Sequence, residues 1–259
     1  MLRSLTSTRL AAAFTLSLAV LASQARAEPV TVVPAKPPSD AKLQRHEKMN
    51  ERVKQGNVDL LFIGDSITQG WEKNGKEVWD KHYAPRNAVN LGTGGDRTEH
   101  VLWRLQNGNL DGISPRLAVI MIGTNNSGSN TPEEIAAGIE AIVKLLRDKL
   151  PKMKILLLAV FPRGDAAEDP RHKVNQKTNE IIAKLADGKT VEYLDIGAKF
   201  LKDGKLTKDI MPDLLHLSPE GYEIWAKAIE PSVVKVMGSG QAAGRARRQP
   251  LKALREKVR

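Results

Sequence analysis

The sequence predicts an α/β fold, a three-layer α/β/α sandwich around a central five-stranded parallel sheet, and three observations predict it. Five short apolar runs, 58–64, 88–92, 117–123, 154–160 and 191–196, are separated by helix-compatible stretches. The runs lack polar alternation, as suits strands covered on both faces. The side chains able to do chemistry follow these runs, at the carboxyl edge where an open parallel sheet gathers its reactive loops. At 259 residues and 41% hydrophobic content, the chain is long and apolar enough to bury one good core.

Taken in order, residues 1–27 read as a signal peptide: Arg3 and Arg9 make a basic start, Leu10 to Ala22 an apolar segment, and Ala25-Arg26-Ala27 a small-x-small cleavage site. The mature protein is therefore expected to be secreted or periplasmic. The apolar segment is too short to span a bilayer comfortably. Residues 28–38, EPVTVVPAKPP, hold four prolines without periodicity and read as an extended linker. Ser39 then caps a polar helix ending near Gly56 and opens a domain expected to run to residue 238.

Between the strands, helices are expected over 97–106, 132–150, 172–186 and 219–237. The helix 132–150 is the best marked. Thr131 and Glu134 form a capping box, Pro132 takes the first turn, and Ile135, Ile139, Ile142, Val143, Leu146 and Leu150 share one face. Pro151 ends it.

The formal charge of +10 suggests an anionic partner until it is placed along the chain. Residues 1–27 carry three basic groups and residues 239–259 a net +6, which leaves about +1 for the body. Nucleic-acid binding by the domain is not supported. The basic tail is expected to be disordered; its alternatives are an amphipathic helix using Leu251, Leu254 and Val258, or an electrostatic tether to an anionic envelope surface. With no cysteine, the chain has neither disulfides nor a lipid-modified cysteine after the signal.

Ser66 follows the first strand in FIGDSITQG, the glycine-rich GTGGDRT follows the second, Asn125 in GTNN follows the third, and DLLH precedes the last helix. A serine hydroxyl is a weak nucleophile at neutral pH and needs a base, and the base needs an orienting partner. His216 and Asp213 supply that pair. Their spacing lets the carboxylate fold back onto imidazole Nδ1, so that Nε2 faces Ser66. The Ser66 N–H, a backbone N–H of the glycine loop and the Asn125 amide would complete an oxyanion hole.

GDSITQGW, NLGTGGDRTEHVLWRLQNG, VIMIGTNN and DLLHLSPEGY resemble the successive blocks of the SGNH (GDSL-type) hydrolases, nearest to the catalytic subunits of platelet-activating factor acetylhydrolase. The resemblance covers about residues 40–237 and implies a flavodoxin-like sheet. It implies Ser66 as nucleophile, His216 as base and Asp213 as its partner, with Ser66, Gly95 and Asn125 as oxyanion donors. Many members carry Asp after the third-block Asn, whereas this chain has Asn126, as the acetylhydrolase branch does. The acetylhydrolase subunits associate while many relatives act alone, so a homodimer is compatible with the resemblance.

Ile67 and Leu215 flank the nucleophile and base, and either they close a small acyl pocket or they pack into the core. The expected activity is hydrolysis of short acyl esters, acetyl first, with acetylated carbohydrate among the substrates. Lipid ester or thioester hydrolysis is the enzymatic alternative, and an envelope binding module the non-enzymatic one. No metal is expected, because His46, His82, His100 and His172 lack ligand spacing, and a serine mechanism requires no cofactor. Asp65 is expected to hold the turn before Ser66, and Trp71, Trp79, Trp103 and Trp225 to pack into the protein.

Overall fold

The computed structural model describes residues 28–164 and 168–238. The signal-peptide and basic-tail assignments lie outside the described residues. The sheet holds five parallel strands in the order β2-β1-β3-β4-β5: β1 Leu60–Gly64, β2 Ala88–Gly92, β3 Leu117–Met121, β4 Lys154–Leu158 and β5 Val191–Leu194. Gly64 pairs with Gly92 on one side and with Met121 on the other, so β1 is central and its carboxyl end is flanked by two loops.

The pleat sends alternate side chains to opposite layers. Leu61, Ile63, Ala118, Ile120, Ile155 and Leu157 meet one helical layer, formed by α1 (Asp40–Lys54), α4 (Thr98–Gln106), α5 (Pro132–Lys149) and α6 (Pro170–Ile182). Leu60, Phe62, Val119, Met121, Leu156 and Leu158 meet the other, formed by α2 (Ser66–Gln69), α3 (Lys76–His82) and α7 (Pro219–Met237). Each buried Leu or Ile of these layers contributes roughly 1.5–3 kcal/mol relative to an exposed one.

Helix α5 forms as its sequence requires. Thr131 Oγ1 accepts the Glu134 N–H, Glu134 returns the bond to the Thr131 N–H, and Ile135, Ile139, Ile142, Val143 and Leu146 are buried. Leu150 falls just beyond its last turn and packs against the core only in part. The second layer is aromatic: Trp71 lies 4.5 Å from Tyr222 and 5.0 Å from Trp225 between ring centroids. Trp71 and Trp225 are fully buried, and Trp79 and Trp103 are half-buried.

Three expectations are corrected. The segment 28–38 is not extended throughout: a short 3-10 turn, Val30–Val32, buries Thr31, whose hydroxyl donates to Glu134 O at 2.6 Å and whose carbonyl accepts from Thr98 Oγ1 at 3.0 Å. Four of the runs are longer than their ladders, and β3 ends at Met121 because Gly123, at φ +131°, turns the chain away. The helix expected over 172–186 starts earlier, at Pro170, where Asp169 accepts the Arg171 N–H, and ends at Ile182 in a 3-10 turn. The short α2 and α3 and the hairpin of β6 (Leu201–Lys202) and β7 (Lys205–Leu206) complete the fold.

Candidate active site

The strand order reverses between β1 and β3, and ligands of open α/β sheets bind in the crevice beyond such a reversal. Ser66 stands there as the first residue of α2. Asp65 caps that helix, its Oδ1 accepting the Ile67 N–H at 2.9 Å. Gly64 permits the tight exit from β1, since a Cβ at that position would collide with Thr68 and with the Met121 carbonyl.

The chain brings Asp213 and His216 to Ser66 across the site. His216 Nε2 lies 2.8 Å from Ser66 Oγ, and His216 Nδ1 lies 2.6 Å from Asp213 Oδ2. Asp213 Oδ1 also accepts the backbone N–H groups of His216 at 2.7 Å and Leu215 at 3.1 Å, so the carboxylate builds the turn it acts in. Leu214, inside that turn, adopts φ +57°, a left-handed conformation that costs a non-glycine residue roughly 1–2 kcal/mol. Its carbonyl is held by the Gly164 N–H at 2.8 Å. Burial pushes the Asp213 carboxyl upward, but the hydrogen bonds from the His216 side chain and from the two backbone N–H groups together hold it below the usual carboxylate value.

The glycine loop supplies two candidate donors with different commitments. The Gly94 N–H is spent on Gln69 Oε1 at 2.7 Å, whereas the Gly95 N–H has no acceptor among the described residues. Gly95 sits at φ +69°, a conformation that only glycine adopts freely. Asn125 Nδ2 donates one hydrogen to Asp96 O at 2.9 Å, which leaves the second for another acceptor.

Sequence reasoning missed what anchors this loop. Asp96 is fully buried, and its carboxylate binds Arg104 Nε at 2.8 Å and Lys42 Nζ at 3.3 Å. Arg104 also donates to Asn109 Oδ1 at 2.9 Å. Burial pulls the Arg104 guanidinium below its ordinary value, opposed by the Asp96 charge. An arginine on the apolar face of α4, among Val101, Leu102 and Leu105, is the signal that could have revealed the pair. Asn126 is structural: its Oδ1 accepts the Thr98 N–H at 3.1 Å and its Nδ2 donates to Glu99.

A cleft of about 270 Å³ opens beside Ser66 and His216, bounded by Gln69, Lys73, Asn74 and Tyr222. Neither Ile67 nor Leu215 lines it. Ile67, 1% exposed, is sealed into the aromatic layer because α2 turns that side chain inward, while Leu215 is half-buried against the same layer. For both, packing is the role the structure places first. Larger hollows of about 570 Å³ lie beside Lys154 and Val236, at the amino-terminal ends of the strands. Their lining pairs Ser232 with the Glu192 carboxylate and contributes no histidine, so the serine, histidine and aspartate come together only at the smaller cleft among the described residues.

Asp65 is 0% exposed, and its Oδ2 has no hydrogen-bond partner. Burial, with the Asp96 charge adding to it against the hydrogen bond from Ile67, pushes its carboxyl up to about 7. The other histidines stand apart from the Ser66 cleft: His46 joins Asn50 and Asn109, His100 accepts the Arg97 N–H, His172 accepts the Arg163 N–H, and His82 is half-buried beside Tyr83.

A strand-end serine facing a histidine–aspartate pair on this sheet is the arrangement of a serine hydrolase, and similarity to known proteins gives its family. Residues 62–224 match the GDSL-like Lipase/Acylhydrolase family, and the chain belongs to it as an ester-hydrolysing enzyme. It is 39% identical over 202 residues to platelet-activating factor acetylhydrolase IB subunit alpha2 of Rattus norvegicus, covering 76% of this chain and 86% of that one. The alpha1 subunit of Homo sapiens is 36% identical over 201 residues, covering 77% and 85%. Among solved structures, a GDSL-like lipase from Bacteroides thetaiotaomicron aligns at TM-score 0.59 with 22% identity, covering 75% of this chain and 98% of that one. An acetylxylan esterase from Geobacillus stearothermophilus aligns at 0.55 with 20% identity, covering 71% and 95%. These two likenesses concern the fold.

Proposed function

We propose that the chain is a secreted serine esterase that removes short acyl groups, acetyl first, from small alcohols, with acetylated carbohydrate as the class to test first. The contact of Ser66 Oγ with His216 Nε2 at 2.8 Å, between residues 150 apart in sequence, carries the reading. With Asp213 holding the Nδ1 proton, Nε2 is left as the acceptor. Ser66 attacks the acyl carbonyl and passes its proton to His216. The carbonyl oxygen, now an oxyanion, meets the N–H groups of Ser66 and Gly95 and the second hydrogen of Asn125 Nδ2. His216 gives the proton to the departing alcohol, the acyl group stays on Ser66, and water deprotonated by His216 releases the acid.

The acetyl preference draws on the name borne by the 39% identical relative. The assay is hydrolysis of p-nitrophenyl esters of increasing chain length by the full chain and by Ser66→Ala. Activity falling with chain length and lost in the variant is the expected outcome. Turnover of a twelve-carbon ester at or above that of acetate would overturn the short-acyl assignment, and activity indifferent to Ser66 would overturn the mechanism.

A further inference from the structure

We propose that Arg163 is a positioning residue for the oxyanion donor Asn125, holding the peptide from which that side chain springs. The inference rests on the serine-esterase reading and adds a residue outside the relay and the donor set.

Asn125 is held at its tip and at its root. At the tip, Nδ2 donates to Asp96 O at 2.9 Å. At the root, the Thr124 carbonyl and the Asn125 nitrogen share one rigid peptide plane, so a group that grips the carbonyl sets the direction in which Asn125 leaves the chain. Arg163 grips it. Its Nη1 donates to Thr124 O and to Thr124 Oγ1, both at 3.0 Å. Asn175 Nδ2 reaches the same hydroxyl at 3.4 Å, and Ser127 Oγ donates to the same carbonyl at 2.7 Å. Ser127 belongs to the Asn125 turn and moves with it, whereas Arg163 comes from the segment after β4 and ties that turn to another part of the fold.

The guanidinium is held in place from its own backbone. Arg163 is 8% exposed and pinned on both sides: its N–H donates to His172 Nδ1 at 3.3 Å, and the next N–H, of Gly164, donates to Leu214 O at 2.8 Å. One dipeptide thus touches both halves of the site, the Asn125 turn through a side chain and the Asp213–His216 turn through a peptide.

An ion pair with Asp169 would be the ordinary explanation of such an arginine, and the contacts rank against it. Arg163 Nε stands 3.9 Å from Asp169 Oδ2 and makes no hydrogen bond, while Asp169 Oδ1 accepts the Arg171 N–H at 2.8 Å as the cap of α6. Burial and the Arg171 charge pull the guanidinium below its ordinary value, against the charges of Asp169, Asp65 and Asp213. A buried cation is costly unless it is hydrogen-bonded. Among the described residues, the side-chain hydrogen bonds of Arg163 all go to the residue before Asn125.

The test is a double-mutant cycle in the full chain on p-nitrophenyl acetate, with Arg163→Met and Arg163→Lys each made alone and together with Asn125→Ala, and urea denaturation recorded for every variant. Arg163→Met should lower kcat roughly 10- to 100-fold with KM within about twofold, because a displaced donor is missed mainly in the transition state. Once Asn125 is alanine, the same substitution should cost kcat less than about threefold. Lysine keeps the charge but not the fork, so Arg163→Lys should restore part of the loss when Asn125 is present and nothing when it is alanine. A methionine loss that is equal in both backgrounds, that falls on KM, or that is absent in the folded protein overturns the proposal. If Arg163→Met does not fold, the lysine variant decides by the same cycle: losses that shrink in the alanine background support the proposal, and additive or absent losses overturn it. Ser66→Ala judges the esterase reading separately. Hydrolysis that persists without Ser66 defeats that reading, whereas Ser66-dependent hydrolysis with additive losses defeats the Arg163 proposal alone.

Discussion

Replacing Asn125 with alanine isolates the oxyanion hole from the proton relay. The Asn125 side chain commits one Nδ2 hydrogen to Asp96 O at 2.9 Å, and the second is free to meet the oxyanion. Alanine therefore removes one of three donors and leaves Ser66, His216 and Asp213 untouched. Loss of one such donor costs about 2.7–4 kcal/mol of transition-state stabilisation, a fall in kcat of roughly 100- to 1,000-fold. KM for p-nitrophenyl acetate should move little, because the ground-state carbonyl is not yet an oxyanion. The Asp96 carbonyl also loses its partner, which should lower stability by about 1 kcal/mol, well short of unfolding the domain. Steady-state kinetics and urea denaturation of the same preparation read both effects. A fall in kcat below about fivefold, with the protein folded, would refute the assignment of Asn125 as a donor.

Two further outcomes follow from the same geometry. Asp213→Asn keeps the acceptor for the His216 and Leu215 N–H groups but presents an amide N–H₂ to Nδ1, which moves the imidazole proton to Nε2. The kcat for acetate should fall by about 1,000-fold or more, while full activity would remove Asp213 from the relay. Asp65→Asn is a test of stability against pH. The folded carboxyl, pushed up to about 7, lies above its unfolded value of 3.8, so its contribution to stability is complete below about pH 4 and is lost as pH rises through 7. Asparagine still accepts the Ile67 N–H and does not ionise. The variant should therefore gain on the wild type by roughly 4 kcal/mol between those limits in denaturant titrations, and parallel pH profiles would refute the assignment.

The five strands and the five long helices could be read from sequence because burial on both faces, apolar periodicity and capping residues are local patterns, complete within each segment. Elements α2, α3 and the β6–β7 hairpin could not, since four, seven and two-plus-two residues are too few to show a period. The docked segment around Thr31 was hidden for another reason: its partner Glu134 lies 103 residues away, and proline content argues only against helix. At the site, residue chemistry pointed to Ser66, Asp213 and His216, whereas the choice of Gly95 came from the resemblance. The structure adds a physical ground for it, because Gln69 occupies the Gly94 donor. The acyl-pocket reading of Ile67 failed at the turn after Asp65: helix α2 begins at Ser66 itself and aims the next side chain into the core.

The proposed nucleophile and its base are mounted on unlike supports. Ser66 leaves a core strand whose residues are all buried, whereas the side chains of His216 and Asp213 are 42% and 56% exposed on a turn secured mainly by the Gly164, Asn74 and Ser218 hydrogen bonds. Such a turn opens at a far smaller free energy than the sheet beneath it. Activity and foldedness should therefore come apart on warming: the contact between Ser66 and His216 should be interrupted while the five strands stay paired, and it should return on cooling. In amide exchange the His216 N–H, bonded to its own turn through Asp213, should fall in the fast class and the β1 and β3 amides in the slowest.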